Sequence, residues 1–160
     1  MKIVNLDGYT TNPGDLSWDW LGNYGEYKVY DRTAPEQIVE RAKDADILII
    51  NKSVITAQML ENLPNLKFVG LQSTGYNVID CKAARARNIT VSNIPAYSTT
   101  GVAQLVFAFI LQVADNVSLH SDAVHNGEWC ECPDFCFWKT PLTELDGKTI
   151  GIIGFGSIGR

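Results

Sequence analysis

Asp46-Ile47-Leu48-Ile49-Ile50 and Lys67-Phe68-Val69-Gly70-Leu71 are continuous apolar runs, and the segment between them holds a helix opening at Thr56 and ending at Pro64. A run with no polar alternation reads as a strand buried on both faces, and a capped helix between two such runs makes them parallel neighbours. The same unit recurs outward from this pair. Lys2 to Leu6, Tyr27 to Tyr30 and Ile89 to Ser92 are further short runs rich in strand formers, each followed by a helix-like or turn-rich segment. Thr33-Ala34-Pro35-Glu36 reads as a capping box ahead of Ile38, Val39 and Ala42, and Asp80 as the cap of Cys81 to Arg87. The first ninety-odd residues are therefore expected to form an open, doubly wound α/β domain with a parallel sheet covered on both faces.

Composition agrees with a packed domain and excludes several classes of function. The chain has 160 residues, 46% hydrophobic and 19% charged, which is ordinary globular composition rather than that of a disordered segment. Its net charge is −5, and Asn88 to Trp138 contains no Lys or Arg but carries Asp115, Asp122, Glu128, Glu131 and Asp134. Nucleic-acid binding needs clustered cations, and Lys82, Arg85 and Arg87 read as a solvated helix face, so no nucleic-acid partner is expected. The N-terminal apolar run is broken at Asn5 and Asp7, unlike a signal-peptide core, so the expected location is cytoplasmic. Val102 to Ala114 is shorter than the about 20 residues of a membrane span and contains Gln104 and Gln112, so no membrane partner is expected. Cys130, Cys132 and Cys136 lack the paired C-x(2-4)-C knuckles of a zinc site, and they read as small apolar side chains beside Trp129, Phe135, Phe137 and Trp138. No metal is expected.

After Pro95 the pattern changes. Val102, Leu105, Val106, Phe109, Ile110, Val113 and Val117 follow the helical period of about 3.6 residues, and Ala103, Phe107, Ala108 and Leu111 make the other sides apolar too. One long helix over residues 98–126 is expected, buried nearly all round in an interdomain or subunit interface. Residues 127–148 form an aromatic connecting segment. Thr149 to Ile153 then reads as a strand running into Gly154-Phe155-Gly156-Ser157-Ile158-Gly159. Glycines let backbone turn tightly and approach a pyrophosphate whose charge is held at a helix N-terminus, so this G-x-G-x-x-G is a candidate dinucleotide loop.

Four segments together resemble the D-isomer-specific 2-hydroxyacid dehydrogenase family over the whole chain. They are Ser73-Thr74-Gly75-Tyr76-Asn77-Val78-Ile79-Asp80; Asn93 to Gln104; Gly127-Glu128-Trp129 with Pro133-Asp134-Phe135; and Leu145 to Gly154. The combination of Pro95-Ala96-Tyr97-Ser98, Val102-Ala103-Gln104 and Pro133 to Trp138 is most similar to the glycerate dehydrogenase (hydroxypyruvate reductase) branch. The resemblance implies a flavodoxin-like substrate domain, completed by C-terminal segments, around an inserted Rossmann domain of which residues 149–160 are the start. It implies hydride transfer between NAD, or NADP, and a small 2-oxo or 2-hydroxy acid such as hydroxypyruvate or D-glycerate. The buried-looking 98–126 helix, which carries no cations, suggests a homodimer joined through it. Carried over residue by residue, Ser73, Thr74 and Gly75 match the loop whose main-chain N–H groups hold the substrate carboxylate. Ser98 and Val102 match positions facing the nicotinamide, and Gly154, Gly156, Ser157, Ile158 and Gly159 match the pyrophosphate loop. Lys52, at the end of the third strand, is a candidate on the same sheet edge. The family's catalytic Arg, Glu and His lie after the dinucleotide motif, so the chain is expected to be an inactive N-terminal portion of a longer enzyme. A non-catalytic relative serving as an NAD-sensing corepressor scaffold is the alternative.

Overall fold

The computed structural model describes residues 1–160, which form two compact units, Met1–Pro95 and Ala96–Arg160. In the first unit β1 (Lys2–Asn5), β2 (Glu26–Val29), β3 (Ile47–Ile50), β4 (Phe68–Leu71) and β5 (Thr90–Ser92) make one sheet in the order β2-β1-β3-β4-β5. Every pairing is parallel, with Val4 opposite Lys28 and Leu48, and Val69 opposite Leu48 and Val91. The expected doubly wound sheet is thus present, with the strand order of flavodoxin-like domains.

Helices α1 (Gly8–Thr11), α2 (Ile38–Ala42), α3 (Ala57–Glu61) and α4 (Cys81–Ala86) join the strands. Thr56 caps α3 by accepting from the N–H of Met59 at 3.2 Å, and Asp80 caps α4 by accepting from Ala83 at 2.9 Å. The capping box at Thr33 does not form. Thr33 Oγ1 donates instead to the carbonyl of Leu6 at 2.8 Å, and α2 is entered through a 3-10 turn, Pro35–Gln37, where Gln37 Oε1 accepts from the N–H of Ala34.

The core lies on one face of the sheet. Val4, Leu6, Leu48, Ile50, Val69 and Leu71 from the strands pack with Ile38 and Ala42 of α2, Leu60 of α3 and Ala84 of α4. Burying each large aliphatic side chain contributes about 1.5–3 kcal/mol before chain entropy is subtracted. Ile3 of β1 and Leu21 of the 3-10 turn Asp19–Asn23 are buried outside this cluster, and with Ile47, Ile49, Phe68, Trp20 and Tyr24 they line an apolar groove.

The second unit corrects two further expectations. The helical segment is broken at Asn116, whose left-handed backbone (φ +48°) ends α5 (Thr99–Asp115) and starts α6 (Val117–His125), with a bend of 65° between the two axes. Asn tolerates this conformation better than the β-branched Val117 beside it. The side-chain amide of Asn116 donates to Thr140 Oγ1 at 3.0 Å, which anchors the bend to the connecting segment. Within this unit Leu105, Val106, Phe107, Phe109 and Val113 of α5 are exposed, and Ala114 is buried. Gly127 (φ +84°) leads into α7 (Glu128–Glu131), where Lys139 Nζ pairs with Glu128 Oε2.

Thr149 to Ile153 is not a strand. A strand exists through its ladder, and no segment pairs with this one, so its isoleucines stay exposed. No single helix of the chain is long and apolar enough to cross a membrane.

Candidate functional site

Parallel strands all deliver their chains to the same edge, so the loops after β1, β3, β4 and β5 converge at the carboxyl end of the sheet. In open α/β sheets ligands bind outside these ends.

The loop after β3 is fixed by a residue that sequence reading passed over. Asp7, buried just past β1, accepts at Oδ2 from the backbone N–H groups of Asn51 (2.7 Å), Lys52 (3.0 Å) and Ser53 (2.9 Å), and at Oδ1 from Ser53 Oγ (2.9 Å). Three successive N–H groups pointing at one carboxylate oxygen form a main-chain anion nest. Asn5, fully buried, holds Asp7 in turn by accepting from its N–H at 3.0 Å. Lys52 is exposed at the rim of this nest.

The loop after β4 is clamped from the other side. Asn93 Nδ2 donates to the carbonyl of Thr74 at 2.8 Å, Thr74 Oγ1 donates to the carbonyl of Ile94 at 2.9 Å, and the N–H of Ile94 donates to the carbonyl of Ser73 at 3.0 Å. Ser73 Oγ donates to the carbonyl of Gly75 at 2.9 Å. These bonds use carbonyls and hydroxyls and leave the backbone N–H groups of Thr74, Gly75 and Tyr76 with no acceptor in the protein. A Cβ on Gly75 would meet only Asn77 Oδ1, at 3.4 Å, so packing alone does not demand glycine there. The two loops are stitched together downstream, where the N–H of Ile55 donates to Val78 and that of Asp80 to Ile55, at 2.8 and 3.1 Å. Lys52 and Ser73 to Gly75 thus share the edge formed by adjacent strands β3 and β4.

The remaining sequence candidates belong to the second unit. Ser98 precedes α5, makes no capping bond through its side chain, and accepts at its carbonyl from the N–H of Val102, which is exposed. In the glycine loop Gly154 has φ +97°, and a Cβ on Gly159 would collide with the carbonyl oxygen of Gly154. The expected pyrophosphate cradle calls for Cβ-free backbone of this kind; a Cβ at Gly156 would meet nothing within 4 Å. The helix N-terminus that would complete the cradle is not formed, since residues 157–159 are a turn.

His120 and His125 are occupied locally. His120 Nε2 accepts from the N–H of Lys139 at 3.1 Å, with Nδ1 3.0 Å from the carbonyl of Asn116, and His125 Nδ1 lies 2.8 Å from the carbonyl of Ser121. No group of three or more His, Cys, Asp or Glu side chains is placed to hold a metal ion.

Comparison with known proteins places this architecture. Residues 10–149 match the family model described as D-isomer specific 2-hydroxyacid dehydrogenase, catalytic domain. The chain is 48% identical to a hydroxypyruvate reductase of Blautia hydrogenotrophica, aligned over all of the chain and 51% of that protein. It is 38% identical to a glycerate dehydrogenase of Methylorubrum extorquens, over 84% of the chain and 43% of that protein. Among solved structures, an acyclic imino acid reductase in complex with NADPH and D-Arg superimposes with a TM-score of 0.73 at 30% identity, over 99% of this chain and 50% of that one. The chain spans about half the length of the curated relatives it matches. It belongs to the D-isomer specific 2-hydroxyacid dehydrogenase family.

Proposed function

We propose that this chain supplies the substrate-binding part of an enzyme that transfers hydride between NAD or NADP and a small 2-oxo acid, with hydroxypyruvate and D-glycerate as the pair. The observation that carries the reading is the β4 loop, whose Thr74, Gly75 and Tyr76 N–H groups are unsatisfied while its carbonyls are clamped. A carboxylate accepting from these groups replaces the water they would otherwise bind, and charge-assisted bonds of this kind are about twice as strong as neutral ones. Lys52, on the same edge, adds a positive charge that orients the acid. The 48% identity to a hydroxypyruvate reductase and 38% identity to a glycerate dehydrogenase support the choice of substrate.

In this reading the Gly154–Gly159 turn holds the cofactor's pyrophosphate, and Ser98 and Val102 face its nicotinamide. Bound cofactor supplies the hydride. The proton donor and its partners are the Arg, Glu and His that family resemblance places after residue 160. The exposed apolar side of α5, with Leu105, Phe109 and Val113, pairs with a second copy in a two-fold dimer.

Steady-state oxidation of NADH and NADPH by the whole gene product tests the activity. Turnover of hydroxypyruvate in preference to pyruvate, with none by residues 1–160 alone, is the expected result. Turnover by residues 1–160, or none by the whole product, contradicts it.

A further inference from the structure

We propose that Asp7 is a positioning residue for the substrate edge: its carboxylate fills the nest at Asn51–Ser53, fixing Lys52 and leaving the β4 loop as the open anion site. The inference rests on the substrate site proposed above and deepens it. Two loops on this edge carry runs of main-chain N–H groups able to receive an anion, and they differ in occupancy. All three N–H groups after β3 are taken by Asp7 at 2.7–3.0 Å, whereas those of Thr74 to Tyr76 have no acceptor. An incoming carboxylate is thereby directed to the β4 loop, with the Lys52 backbone held beside it.

The geometry is built rather than incidental. Asp7 is 7% exposed, Ser53 7% and Asn5 0%, and Asn5 Oδ1 fixes the backbone of Asp7. Thr10 Oγ1 donates to the carbonyl of Asp7 and accepts from Asn51 Nδ2 at 2.9 Å, so α1 braces the same loop. A carboxylate brought from β1 to the start of the β3 loop constrains the backbone that carries the one cationic residue of that loop, without touching substrate.

Amide hydrogen exchange and hydroxypyruvate titration, both followed by NMR on the 160-residue chain, test the proposal with D7A, D7N, K52A and the D7A/K52A double variant. Exchange at Asn51, Lys52 and Ser53 should accelerate by about tenfold or more in D7A, and D7N, which keeps one accepting oxygen, should restore much of the protection. D7A should weaken hydroxypyruvate binding about as much as K52A, and the double variant should bind no more weakly than K52A. S53A, which removes only the bond to Oδ1, gives a milder effect in the same direction and serves if D7A does not fold. Unchanged exchange at Asn51–Ser53, or unchanged binding in folded D7A when K52A is weakened, overturns the Asp7 proposal alone. Unchanged binding in K52A overturns both it and the role of Lys52 in the proposed site.

Discussion

Asn93 reaches back from the end of β5 to donate its side-chain amide to the carbonyl oxygen of Thr74 at 2.8 Å. That bond, with Thr74 Oγ1 on Ile94, turns the carbonyls of the β4 loop toward β5 and away from the open N–H groups. Asn93→Ala should therefore loosen the loop and weaken hydroxypyruvate binding by roughly fivefold, the equivalent of one hydrogen bond of about 1 kcal/mol. The bond is exposed, so the thermal midpoint should move little. Calorimetric titration beside thermal unfolding separates the two effects.

Gly75→Ala distinguishes packing from ligand recognition. A Cβ there contacts only Asn77 Oδ1, so the variant should fold within about 0.5 kcal/mol of the parent in urea titrations. If the substrate carboxylate sits on these N–H groups as proposed, the added methyl obstructs it, and binding should fall by about tenfold or more. Loss of stability with binding retained would reverse the assignment.

Asp46 sits at the opposite, amino end of the strands. Lys67 Nζ donates to its Oδ1 at 2.7 Å and the Lys2 N–H to its Oδ2 at 2.8 Å, and these bonds hold its carboxyl below the usual aspartate value of 3.8. A depressed carboxyl pKa stabilises the fold above the unfolded value, and the contribution is lost as pH falls through the folded one. Asp46→Asn should lower stability at pH 7, with the difference from the parent shrinking as pH drops below about 3.8. Denaturant midpoints measured from pH 7 to pH 2 check the sign.

Phe109 is 62% exposed on α5. If the whole gene product dimerises through this helix, Phe109→Asp places a charge in an apolar contact and should shift the product toward monomer in light scattering at micromolar concentration. An unchanged dimer would remove α5 from the interface.

What was legible in the sequence was local or periodic. The β3 and β4 runs, the Thr56 and Asp80 caps and the family motifs each announce themselves within a few residues, and the structure contains them. The break at Asn116 is hidden because the apolar period runs on to Val117, so nothing in the pattern records a left-handed residue. Thr149 to Ile153 has the composition of a strand but no ladder partner, a non-local condition that composition cannot express. The sheet's open groove is equally non-local, since Ile47, Ile49 and Phe68 read as buried whether or not an element covers them. Asp7 reads as the polar end of an apolar run. Its role becomes visible only when β3 lies beside β1 and brings Asn51 to Ser53 within hydrogen-bond reach.

The most direct measurement is a backbone amide map of the wild-type 160-residue chain titrated with hydroxypyruvate. The largest saturable shifts should fall on Thr74, Gly75 and Tyr76, Gly75→Ala should move their saturation to about tenfold or more higher hydroxypyruvate, and the methyl ester, which lacks the carboxylate charge, should produce far smaller ones. Saturable shifts centred elsewhere, or equal responses to acid and ester, would contradict a carboxylate site at the β4 loop.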